Sequence, residues 1–284
     1  MENIFNTRDL LVEALDKRWR KYCLEHQRTQ AASSAEAVHD LRVAARRLLA
    51  LLEVIRLLEP DMRVKKLHRA FKEQLDHFDE LRDTQVMLAE IAIRRETLPE
   101  LQLFDEFLQR REQKMLKAAR KWVTAQPPAK ISKYSFNLWS DLTTRENFRD
   151  PLTALDQIYA VSLQRYRQVN PARPASLHRL RIAFKKFRYS LELLAPALPG
   201  FPSDQLEHMH TYQTRLGEIQ DTEVFLHSLA AFSEKRKKFD PQPVRRFYEQ
   251  RHAEAIHHYL ETKDAVLTFW RSTPDAHFPW EPDK

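Results

Sequence analysis

Two segments of the chain carry the same set of basic side chains: His39, Arg42, Arg46 and Arg47 in VHDLRVAARRLLALLEVI, and His178, Arg181, Lys185 and Lys186 in LHRLRIAFKKFRYSLELL. The chemistry open to such a set is anion binding. A guanidinium presents a planar fork of donors that grips phosphate oxygens in pairs, and an ammonium supplies a compact charge. An imidazole beside them donates a hydrogen bond when neutral and adds charge near neutral pH. On a helix, a rise of about 1.5 Å per residue spreads each set over several phosphate units, which suits a linear polyanion better than a single ion.

These side chains share a face only if both segments are helical. At about 100° per residue, His39, Arg42 and Arg46 fall on one side, and Leu41, Ala44, Ala45, Leu48, Leu52 and Ile55 fall opposite. The second segment sets His178, Arg181 and Lys185 against Leu180, Ala183, Phe184, Phe187, Leu191 and Leu194. An amphipathic helix with a solvated charged face gives the same division, but it has no reason to repeat His with Arg at +3 and a cation at +7. His39 and His178 stand 139 residues apart, close to half of 284. FDELRDTQVML, from Phe78 to Leu88, resembles LGEIQDTEVFL, from Leu216 to Leu226, and Asp83 stands 138 residues before Asp221. Two matches at nearly one offset predict an internal duplication, with something anionic between the copies.

The composition favours an all-α chain. Only two glycines occur in 284 residues, whereas sheet turns and Gly-rich phosphate loops need several. The formal charge of +7 favours acidic partners, and from 178 to 189 Arg179, Arg181, Lys185, Lys186 and Arg188 occur with no acidic residue. Cys23 is alone, so no internal disulfide forms. The opening MENIFNTRDLL lacks the basic and apolar regions of a secretion signal, and no apolar run approaches membrane-spanning length. These features predict a soluble protein of the reducing cytoplasm, with no membrane contact.

Periodicity predicts helices over about 7–29, 35–59, 61–80, 83–96 and 99–124, with Pro60 closing the second. Residues 130–150 read as a polar linker. Helices then follow over 151–168, 175–195, 203–217, 220–239 and 242–271, and a Pro-rich tail frays after about 272. Short links imply antiparallel neighbours. The expected organisation is therefore two four-helix bundles, 1–150 and 151–284, related by a pseudo-twofold.

At the two histidine motifs the chain resembles the CHAD family, the conserved-histidine α-helical domain, over about 7 to 270. The family pattern of His, Arg at +3 and paired basic residues at +7 and +8 is matched by His39, Arg42, Arg46 and Arg47, and again by His178, Arg181, Lys185 and Lys186. Its basic-apolar-Arg-Tyr extension is matched by Lys186, Phe187, Arg188 and Tyr189, whereas Leu49 departs from it in the first half. An Arg-Asp element is matched by Arg82 and Asp83, and the second copy has Gln220 and Asp221. The resemblance implies two pseudo-symmetric helical bundles around a basic central cavity and binding of inorganic polyphosphate without catalysis or cofactor. It also implies a functional association with triphosphate tunnel enzymes and a place on polyphosphate granules. Arg18, Arg20, Arg165 and Arg167 on the first helix of each half read equally as cavity rim or as solvated face. The pattern sets no oligomeric state.

The nearest rival is nucleic-acid binding, because the same cations neutralise any phosphate backbone, with Trp19, Tyr22, Phe187 and Tyr189 as stacking candidates. His39 with Asp40 is reminiscent of metal-dependent phosphohydrolases, but Arg179 replaces the Asp in the second copy and would oppose a dication. Glu-x-x-His pairs at Glu207/His210, Glu249/His252 and Glu254/His257 have the spacing of di-iron bundles but lack the matching single Glu ligands. No catalytic set and no metal site are expected. Replacing Arg42 and Arg181 together by Ala is expected to remove binding and leave the fold intact.

Overall fold

The computed structural model describes residues 7–32, 34–59, 61–146, 150–198, 200–236 and 239–281. The first motif helix starts where the sequence supplies a cap: the Ser34 hydroxyl accepts a hydrogen bond from the Ala37 N–H, a contact of the kind that contributes about 1 kcal/mol. The second starts at Pro174, whose fixed φ and missing N–H suit a first helical position. Among the described residues the order is α1 (Thr7–Ala31), α2 (Ala35–Leu58), α3 (Met62–Arg94), α4 (Gln102–Ala125), α5 (Ala129–Thr144), α6 (Pro151–Arg167), α7 (Pro174–Leu194), α8 (Gln205–Glu234) and α9 (Gln242–Thr262). Short 3-10 turns occupy Pro99–Leu101, Ala195–Ala197 and Lys263–Thr268, and no strand occurs among the described residues. Pro60, expected to close α2, lies outside the described residues.

Three expectations change. The breaks predicted at 81–82 and 218–219 are absent, because α3 and α8 each run through unbroken. The apolar stripe explains this: Leu75, Phe78, Leu81, Thr84 and Met87 on α3, and Tyr212, Leu216, Ile219, Thr222 and Phe225 on α8, keep helical spacing across the polar residues. Gly217 costs α8 about 1 kcal/mol of intrinsic propensity, which this packing outweighs. A Cβ there would lie 4.0 Å from Arg181 Nε.

The stretch read as a linker from 130 forms α5, whose narrow stripe of Leu138 and Leu142, with half-buried Ile131 and Tyr134, joins the core. A polar composition hid this stripe. Nor does the tail fray at 272: Phe278 and Trp280 stack with centroids 4.7 Å apart and cover Trp270.

The main hydrophobic core draws on both 1–150 and 151–284, from Leu11 through Leu48, Phe71, Leu180 and Phe187 to Trp270. A second cluster joins the far ends of the long helices, with Met87 and Ile91 of α3 and Phe225 and Phe232 of α8 meeting Phe104 and Tyr248. Each motif helix packs against its preceding and following helix, and the motif helices α2 and α7 also touch each other, as do α3 and α8. These four helices therefore meet, and the space between them is where the basic segments point.

Candidate anion-binding site

A cavity of about 480 Å³ opens between α2, α3, α7 and α8. It brings together Arg42 and Arg46 from α2, Arg82 from α3, and His178, Arg181, Lys185 and Lys186 from α7. Four carboxylates, Glu53, Asp76, Asp79 and Asp83, line it as well, so its chemistry depends on which charges are already matched.

Each carboxylate has a cation. The buried Arg42 guanidinium donates to the Leu75 carbonyl at 3.1 Å and to Asp79 Oδ1 at 2.9 Å. Arg82 Nη1 donates to Asp83 Oδ1 and to Asp221 Oδ1, both at 2.9 Å. Glu53 accepts from Lys186 and Arg56, and Lys72 pairs with Asp76 at 2.6 Å. Among the described residues, no carboxylate lies within ion-pair distance of Arg46, Arg181 or Lys185.

The electrostatics follow from that inventory. Burial, followed by the neighbouring Arg46 and Arg181, pushes the Lys185 ammonium down to about 6. Burial and then Arg42 push Arg46 down to about 10, and burial lowers Arg181, with Asp221 partly offsetting it. Burial alone would raise the Glu53 carboxyl, but Lys186 and Arg56 outweigh it and hold it below the usual range. Burial likewise opposes the charge on Arg82, and Asp221 with Asp83 more than restores it. Arg46 and Arg181 thus disfavour the charge on Lys185, and Arg42 and Arg82 that on Arg46, a repulsion that an anion would relieve.

The two histidines do not play matching parts. His178 lines the cavity and bonds through Nδ1 to Gln220 Oε1. His39 is exposed and lies outside the lining, and Arg82 occupies the position on α3 where α8 has Gln220. Arg47 is exposed on the far side of α2, 3.6 Å from Glu192. Arg188 also misses the lining: it donates to Gln213 at 2.9 Å and lies over the Tyr189 ring, 4.7 Å from its centroid.

The further cations from the first helix of each half also fall elsewhere. Arg18 donates to the Arg47 carbonyl at 2.8 Å, Arg20 pairs with Asp16 at 2.9 Å, Arg165 donates to Gln168 at 2.9 Å, and Arg167 is exposed. None of the four lines the cavity. A helix that contributes its apolar stripe to the core cannot turn every cation on its polar arc toward one neighbour.

Sequence reasoning missed Glu53, His68, Lys72 and Asp79. Glu53 carried a readable signal, because a lone carboxylate in the apolar run ALLEVI needs a buried cation. The others sit on α3: Lys72 pairs locally with Asp76, whereas Asp79 and His68 meet Arg42 and Glu53 of α2, which cannot be read locally. Of the stacking candidates, Tyr22 and Phe187 are buried and Trp19 packs against Phe71; only Tyr189 reaches the cavity. The Glu-x-x-His pairs do not converge either: His252 Nδ1 bonds Thr222 Oγ1 at 2.9 Å, and no group of three metal-ligating side chains occurs among the described residues. Among them, no helix is long and apolar enough to cross a membrane.

A family model, described as CHAD domain, matches residues 13–230. Among solved structures the fold is similar to the crystal structure of the CHAD domain from the plant Ricinus communis, with 17% identity, a TM-score of 0.70, and coverage of 96% of this chain and 95% of that one. No curated protein sequence matches.

Proposed function

The chain belongs to the CHAD domain family, and from that premise we propose that it binds inorganic polyphosphate in the cavity between α2 and α7, without turning it over. The observation that carries this reading is the set Arg46, Arg181 and Lys185, three basic side chains in one cavity with no carboxylate for any of them among the described residues. With Lys185 protonated the three repel one another, and a ligand with several negative charges close together relieves that repulsion. A linear phosphate chain supplies them along its length. Arg46 and Arg181 grip oxygens by their forks, Lys185 gains a proton when the anion arrives, and His178, oriented by Gln220, adds a donor at one end. Arg42 and Arg82, already bonded to carboxylates, shape the wall and add field.

In this reading the segments 1–150 and 151–284 are two halves of one CHAD domain, related by a pseudo-twofold that sets Arg42 opposite Arg181 and Arg46 opposite Lys185. The cavity is net basic, the protein works in the cytoplasm and on polyphosphate granules, and triphosphate tunnel enzymes are its functional associates. No residue in the cavity is assigned a catalytic part, and no cofactor is invoked.

A competition titration by calorimetry at fixed salt tests the proposal, with long-chain polyphosphate, triphosphate, single-stranded DNA and RNA as ligands. Selective binding of polyphosphate is the expected result. Equal or tighter binding of either nucleic acid would overturn it, because the cavity offers bases only Tyr189 to stack on, and bases contribute to single-strand affinity mainly by stacking on aromatic rings.

A further inference from the structure

A second cavity, of about 640 Å³, lies between α3, α4 and α8 and shares Asp83 and Val224 with the first. The two spaces therefore adjoin. One face of α8 floors both: Gln220 and Val224 line the first, and Val224, His227, Ser228, Ala231 and Lys235 line the second. Those positions recur every three or four residues, which places them on one side of the helix. From Gln220 to Lys235 this face runs about 22 Å.

Charge along the path is consistent with an anion. The carboxylates beside it are neutralised, Asp83 by Arg82 at 2.9 Å and Glu80 by Arg111. At its far end Lys235 and Arg236 line the second cavity, and among the described residues neither has a carboxylate within ion-pair distance. Arg236 lies over the Phe232 ring, 5.9 Å from its centroid, beside the second cavity's apolar floor of Met87, Phe107 and Phe232.

We propose that this groove is a second anion subsite, continuous with the first, and that a polyphosphate chain held by Arg46, Arg181 and Lys185 leaves along α8 to reach Lys235 and Arg236. The inference rests on the polyphosphate reading and gives it a direction and a length requirement. A triphosphate is satisfied within the first cavity. Only a longer chain spans both, so the protein discriminates by chain length.

The bland alternative is that Lys235 and Arg236 merely answer the partial negative charge of the last α8 carbonyls. In the full-length protein, Lys235→Ala with Arg236→Ala is compared with Lys117→Ala with Arg120→Ala, which removes equal charge from exposed positions on α4 outside both cavities. Calorimetry is run with triphosphate and with long-chain polyphosphate. The expected result is a roughly tenfold loss for the long chain only in the first variant, from two lost phosphate contacts, with triphosphate affinity within about twofold of wild type. An unchanged long-chain affinity, an equal loss in the α4 variant, or an equal loss for triphosphate overturns the path. The polyphosphate reading fails by a different result: Arg46→Ala with Arg181→Ala binding both ligands as wild type does.

Discussion

Arg82 Nη1 donates to Asp221 Oδ1 at 2.9 Å, tying α3 of the first half to α8 of the second across 139 positions of sequence. Arg82 also lines the anion cavity, whereas Asp221 faces the space on the other side of α8. The carboxylate therefore holds one of the cavity's cations while adding a negative charge next to it. Asp221→Asn separates these roles. Stability should fall by about 1–2 kcal/mol as a part-buried charged hydrogen bond is lost, while affinity for triphosphate rises severalfold because Arg82 is released. Chemical denaturation and calorimetry on one preparation measure both, and a fall in affinity would assign the pair to the fold alone.

The arginines separate by partner. Arg42→Ala strands the Leu75 carbonyl and Asp79, and should cost about 1–3 kcal/mol of stability. Because Arg42 is buried among these partners, the Arg42→Ala, Arg181→Ala double variant should also melt lower. Arg46→Ala with Arg181→Ala removes unmatched like charges, so the melting temperature should hold or rise while triphosphate affinity falls by about tenfold or more. A thermal melt with and without ligand distinguishes the two variants.

Lys185 gives the cavity a pH dependence whose sign is fixed. Its folded value of about 6 lies below the ordinary lysine value of 10.5, so the unfolded chain binds more protons between those limits. The stability cost of Lys185 is absent above about pH 10.5, grows as pH falls, and is complete below about 6. An anion favours the protonated form, so binding at pH 7 takes up a proton and tightens as pH falls from about 8 toward 6. Calorimetry in buffers of different ionisation enthalpy should show the uptake, and Lys185→Met should abolish it. Arg46, Arg181, Arg82 and Arg42 face the amine and stay charged throughout this range, and His68 and His178 also line the cavity. Uptake that survives in Lys185→Met would show that the proton goes to another group.

Removing residues 273–284 should lower the melting temperature by about 5–10 °C, the scale expected for 2–3 kcal/mol in a chain of this size. Phe278 and Trp280 would no longer cover Trp270, whose indole N–H donates to Asp156 Oδ1 at 2.8 Å. Tryptophan emission should shift to the red. Unchanged melting would return the tail to the frayed state that its prolines suggested.

Helical class and the pairing of two basic segments were legible in the sequence, because periodicity and composition act locally. A 3.6-residue repeat and the scarcity of glycine decide the element type residue by residue, and His39 with His178 makes the likeness of the two segments visible. Glu53 was legible in principle, as a charge inside an apolar run. The division of labour among the cations was not. Arg42 and Arg46 are one turn apart on one helix, yet only Arg42 meets a carboxylate, and that carboxylate, Asp79, comes from α3. His39 and His178 match in sequence and differ in place, since α3 presents Arg82 where α8 presents Gln220. Which charges are neutralised is a property of neighbours brought from distant positions, and a Coulomb interaction depends on spatial separation, not on sequence separation. Sequence alone determined that this protein is helical and basic and that two of its segments carry the same cations. The tertiary structure decided that, among the described residues, Arg46, Arg181 and Lys185 are the cations of this cavity left without a carboxylate.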